Sequence, residues 1–183
     1  MLGVVARKVL LVAHILVSVG WMGALAAFIA LDVTTAVGLD ADVARACYIA
    51  MDIVTRYAIV PLAIATLASG IVVSLGTRWG LFRHYWVVVS LVLTVLSTVV
   101  LAVQIPLIAH RADVAQSGTD VEVLALGNLL LHSIGGAVVL LVVLVLNVVK
   151  PRGLTRYGWR REARDQARRK MDASTLVAPQ KAD

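Results

Sequence analysis

Four histidines and one cysteine are the side chains of this chain best suited to ligand or proton chemistry. His14 and His132 lie well inside long apolar runs, whereas His84 and His110 fall at the ends of such runs. An ionisable group in hydrocarbon is expensive, and is read first as a functional site. Ser18 at i+4 and Trp21 at i+7 share one helix face with His14. Asn128 precedes His132 by one helical turn, and Gly135-Gly136 after it would let a backbone or a flat ligand approach closely. His14, His132, Ser18, Trp21 and Asn128 are therefore the candidate cofactor-binding residues, with His14 the candidate metal ligand. Cys47 stands alone, which excludes an intramolecular disulfide and any CxxC redox or zinc motif.

The elements that must hold these residues are membrane spans. Hydrophobic residues make up 60% of the chain and charged residues 15%, outside the balance of a soluble domain. The apolar residues fall in four blocks, about 9–31, 57–75, 85–109 and 123–149, separated by charged clusters. The first block follows Arg7 and Lys8 but is much longer than the roughly 7–15 residues of a signal-peptide core, so it reads as a retained span. The fold class expected is an all-α membrane protein: a bundle of four transmembrane helices over 1–150, followed by a basic tail over 151–183.

Asp42 looks like the start of a helix that continues into the second span, with Asp52 placed to pair with Arg56 at i+4. Such a helix exceeds a ~30 Å hydrocarbon layer, so its first turns should project, and Pro61 should kink it by freeing the carbonyl of Tyr57. In the third span Ser90, Thr94, Ser97 and Gln104 form a polar stripe at heptad-like spacing. Thr66, Ser69, Gly70 and Ser74 do the same in the second. Small and hydroxylated residues in such patterns pack helices together in lipid, or line a polar pocket.

Arg7, Lys8, Arg78 and Arg83 flank one side of the bundle, and seven acidic residues from Asp32 to Glu122 gather on the other. The positive-inside rule then places both termini in the cytoplasm, in a multi-pass protein of the cell membrane. From Lys150 onward ten Lys or Arg stand against four Asp or Glu, a surplus equal to the net charge of +6. Residues 155–171 read as an exposed helix with a stripe of Arg160, Arg164 and Arg168, and 173–183 as disordered. Anionic lipid, rather than nucleic acid, is the expected partner of that tail.

One height argument constrains the histidines. With span centres near Gly20 and Gly136, His14 and His132 differ by roughly 15 Å along the membrane normal, which disfavours the two rings as ligands of one haem iron without excluding them. His14 as a single ligand or a proton carrier survives that test better.

The His14-to-Gly23 segment and Leu75-Gly76-Thr77-Arg78-Trp79-Gly80-Leu81-Phe82-Arg83-His84-Tyr85-Trp86 resemble a family of bacterial four-span integral membrane proteins without assigned activity. More loosely, the first span is similar to that of the copper-resistance D proteins and of the membrane-bound, haem-binding protoporphyrinogen oxidase family. That second resemblance implies haem b, with His14 matching the family's first-span histidine. The family's third-span lysine has no counterpart: Ser90 stands near that position and the third span contains no lysine. Three functions stay open on this reading: a small haem-associated or redox protein, a non-catalytic scaffold or accessory subunit working with copies of itself or another membrane protein, and a copper-handling protein. The third has little support, because Met22 and Met51 are the only thioethers in or beside the first two spans.

Overall fold

The computed structural model describes residues 3–38, 40–76, 80–151 and 153–177, with side chains described up to residue 171. Arg78, on which part of the charge argument rests, and residues 178–183 of the tail lie outside that set. Seven α-helices are present among the described residues, and the only strand-like feature there is a single bridge between His84 and Leu154. They are α1 (Val4–Val37), α2 (Ala41–Val54), α3 (Val60–Gly76), α4 (Tyr85–Ser117), α5 (Asp120–Ala125), α6 (Leu130–Val149) and α7 (Arg156–Val177). Four stretches are long and apolar enough to cross a membrane: α1, the run from α2 through α3, α4 and α6.

Around the bundle α1 packs on α3 and α6, α4 packs on α3 and α6, and α2 fills the space beside α1 and α4 at the acidic end. Most large apolar side chains outside these contacts are exposed, among them Leu11, Ile15, Leu16, Val92, Leu96 and Leu141, as lipid-facing surfaces require. Four crossings bring both ends of the bundle to one face, called here the terminal face.

Several boundaries differ from the sequence reading. At 34 residues, α1 is about 51 Å long at ~1.5 Å per residue, and α4 runs eight residues past 109. Both helices continue beyond the hydrocarbon layer because α2 and α5 pack against their ends. The second crossing absorbs Pro61 in a π-helical turn over Thr55–Ile59, closed by the Val60 N–H donating to Thr55 O. Pro61 has no N–H for the Tyr57 carbonyl, so the ladder shifts to i→i+5 bonds one turn early.

The fourth crossing is shorter than 123–149. Residues from Thr119 form α5, started by a capping box in which the Glu122 N–H donates to Thr119 Oγ1 and Thr119 N–H donates to Glu122 Oε2. The chain then turns at Gly127, whose φ of +64° lies in the left-handed region that glycine tolerates. Only at Leu130 does α6 begin. At the other end of the chain, α7 continues to Val177, so 173–177 extend the tail helix instead of fraying at 171.

Candidate functional site

Two separate constellations appear inside the bundle, and the five residues selected from the sequence are divided between them or left out. The first is the α1–α3 contact at His14. Its Nδ1 lies 2.8 Å from Ser69 Oγ, and Ser69 Oγ in turn lies 2.6 Å from Ala65 O. A hydroxyl has one proton, and the shorter bond to Ala65 takes it. In the neutral ring Nδ1–H is therefore the donor to Ser69, and Nε2 keeps the lone pair. Gly70 makes this approach feasible, because a Cβ there would lie 3.1 Å from His14 Cε1. Ser18 turns away from the imidazole and donates to the backbone carbonyl of His14 at 2.7 Å.

The second constellation is a cavity of about 90 Å³ on the bundle axis. Trp21, Leu25 and Phe28 of α1 form one wall, with Thr55 and Ile59 of the π-helical turn beside them. Ser97, Leu101 and Gln104 of α4 and His132, Ser133 and Gly136 of α6 complete it. Trp21 is buried, whereas His132 is exposed as well as lining the cavity, so the cavity reaches the bundle surface there. Ser133 and Thr55 are satisfied, by Asp32 and by Met51 O respectively. The side chains of Ser97, Gln104 and His132 make no hydrogen bond among the described residues.

Asn128 belongs to neither constellation. It sits in the turn before α6, with Oδ1 accepting from Leu130 N–H at 3.3 Å, so it does not share a helical face with His132.

Register confirms that the two histidines are apart. Gly136 faces Leu25 of α1, and Leu129 and Ser133 face Asp32. His132 is therefore level with residues near Ile29, about fifteen positions from His14, or roughly 22 Å along α1. The two rings cannot share an iron. His14 does not line the axial cavity, and that cavity is far below the roughly 300–1,000 Å³ of typical ligand pockets. The residues around it thus do not fit a haem macrocycle. Among the described residues no group of three or more His, Cys, Asp or Glu side chains could hold a metal ion.

The residue missed from the sequence is Asp32. It read as the polar end of the first span, yet it is fully buried. Its Oδ1 accepts from Leu129 N–H at 2.8 Å and its Oδ2 from Ser133 Oγ at 3.1 Å, so it caps the start of α6 from a different helix. Around it Tyr48 Oη and Arg111 Nη1 both donate to Gly127 O, at 2.7 and 2.9 Å. Arg45 donates to the carbonyls of Ala115 and Gly118 at the end of α4 and pairs with Asp120 at 2.8 Å. These contacts close the cavity on the acidic side. An unbroken apolar run ending in Asp was the available signal, but its partners lie about a hundred residues away and carry no local pattern.

The fold and the cavity define a polytopic α-helical membrane protein with a largely apolar axial chamber into which a few polar side chains are set. No family model, no curated protein and no solved structure matches the chain.

Proposed function

We infer that the protein is a membrane-embedded binding protein that holds the polar end of a small amphipathic molecule from the lipid phase in its axial cavity. The supporting observation is the trio Ser97, Gln104 and His132, three polar side chains without partners among the described residues that line one otherwise apolar cavity. Ser97 lies near mid-span, where a polar group without a partner is costly because lipid offers no hydrogen bonds, and His132 stands two residues into α6 at its acidic end. Gln104 and His132 can each both donate and accept, so a carbonyl, hydroxyl or amide end group satisfies them. The volume admits only such an end group, and the rest of the molecule would leave past His132 into the bilayer. The aromatic faces of Trp21 and Phe28 suit a flat ring at the polar end.

The bundle belongs in a cell membrane with both termini cytoplasmic on this reading. Arg7, Lys8, Arg83 and the basic α7 all lie on the terminal face, and the acidic caps of α2 and α5 on the other. His14 acts in this reading as a fixed imidazole that ties α1 to α3.

The test is a thermal-shift screen of the detergent-purified protein against quinones, long-chain alcohols and fatty amides, with the Gln104→Leu/His132→Leu variant as control. Stabilisation of the wild type by one class, absent in the variant, supports the reading. Equal response of both proteins to every class leaves a scaffold role as the better account.

A further inference from the structure

A second cavity, of about 410 Å³, lies on the terminal face, where α4 begins and α6 ends. Arg83, His84 and Lys150 line it, with Trp86 and Leu154 as its apolar wall and Glu162 of α7 as its one acidic residue. Its rim is built by the chain itself. Thr155 N–H donates to Arg83 O at 3.0 Å, Tyr85 N–H to Gly153 O at 3.3 Å, and Thr155 Oγ1 to Phe82 O. Gly158 seats the first turn of α7 directly on this loop, since a Cβ there would overlap the carbonyl oxygen of Arg83. Two backbone segments, 82–85 and 153–158, are thereby locked together, and the basic side chains project from a fixed frame.

We propose that this pocket binds the phosphate of an anionic glycerophospholipid, with Arg83 and Lys150 as its cationic ligands. Position argues for a lipid in preference to a soluble phosphate. Lys150 directly follows the apolar α6 and Arg83 stands two residues before the apolar α4, so the pocket lies at headgroup depth beside two adjacent spans. Exposed Val145, Val148 and Val149 on α6 and Val89 on α4 continue from it along the direction that acyl chains take. Exposed Tyr85, Tyr157 and Trp159 surround it, side chains that favour the interface. Two cations against Glu162, which meets Arg83 at only 3.9 Å, leave an excess of positive charge that selects a lipid of net negative charge. This site is distinct from the axial cavity and stands or falls without it.

Spin-labelled phosphatidylglycerol and spin-labelled phosphatidylcholine provide the test, with the full chain reconstituted in phosphatidylcholine nanodiscs. Wild type should show a preference for the glycerol lipid that drops by roughly five-fold for each basic residue removed, in Arg83→Gln and in Lys150→Asn. Asparagine suits the left-handed backbone at 150, where φ is +48°, so that variant keeps its fold even if Arg83→Gln does not. Arg164→Gln/Arg168→Gln, on the exposed face of α7, should keep the preference. An unchanged preference in Lys150→Asn, or a loss confined to the α7 variant, overturns the proposal. So does displacement of the labelled lipid by millimolar glycerol phosphate, which would make the pocket a site for soluble phosphate esters.

Discussion

Replacing Asp32 by alanine removes two acceptors at once from a fully buried position and strands two donors, the Leu129 N–H and the Ser133 hydroxyl. A buried donor left without a partner costs about 1–3 kcal/mol, so the substitution should destabilise the bundle by about 2–6 kcal/mol. Ser133 can redirect its proton to Leu130 O, already 3.3 Å away, which pulls the value toward the lower end. Asp32→Asn separates geometry from mere loss of a carboxylate. Its amide oxygen still accepts from Leu129, its NH₂ donates to Ser133, and Ser133 donates to Leu130. The asparagine variant should therefore lie within about 1.5 kcal/mol of wild type, the net worth of one hydrogen bond. Equilibrium unfolding in mixed detergent–SDS micelles measures both. An alanine variant within 0.5 kcal/mol of wild type (about the average for interhelical hydrogen bonds in membranes) would refute the view that Asp32 caps α6 from α1. So would an asparagine variant as damaged as the alanine one.

Gly70→Ala would bring a Cβ to 3.1 Å from His14 Cε1 and should displace the ring, weaken the bond to Ser69 and cost about 1–3 kcal/mol as an overpacked contact, read by the same unfolding assay. Gly158→Ala places a Cβ against Arg83 O and should undock the first turn of α7, seen as faster amide exchange over 154–160 with the spans unaffected. The Glu122 carboxyl is held below its ordinary 4.5 by the N–H and hydroxyl of Thr119. A depressed carboxylate contributes stability above its unfolded pKa and loses it as pH falls through the folded one, so the protection factors of the α5 amides should fall as pH drops below about 4.5, a dependence that Glu122→Gln should flatten.

The class and number of spans were legible because apolar run length and charge clustering are local properties of a membrane chain. Register was not. Trp21 was selected as a neighbour of His14, yet the two side chains serve different contacts. The extra length of α1 and the late start of α6 set which residues face each other, and neither is visible in hydropathy. The Asn128–His132 pairing assumed a continuous helix, which the left-handed turn at Gly127 interrupts. Pro61 signalled a defect in the second crossing, but not that the resulting π-helical turn would carry Thr55 and Ile59 to the cavity. The polar stripe of α4 was readable as a stripe, and it divides in the fold. Thr94 donates to Ser90 O within its own helix, while Ser97 and Gln104 face the axis.

Mass spectrometry of the protein after exhaustive detergent washing tests the binding account most directly. Wild type should retain one small amphipathic molecule per chain, and Gln104→Leu/His132→Leu should retain none while eluting as the same monodisperse species. A wild type that carries nothing, or a double variant that carries the same molecule at the same stoichiometry, would contradict the assignment of the axial cavity as the binding site.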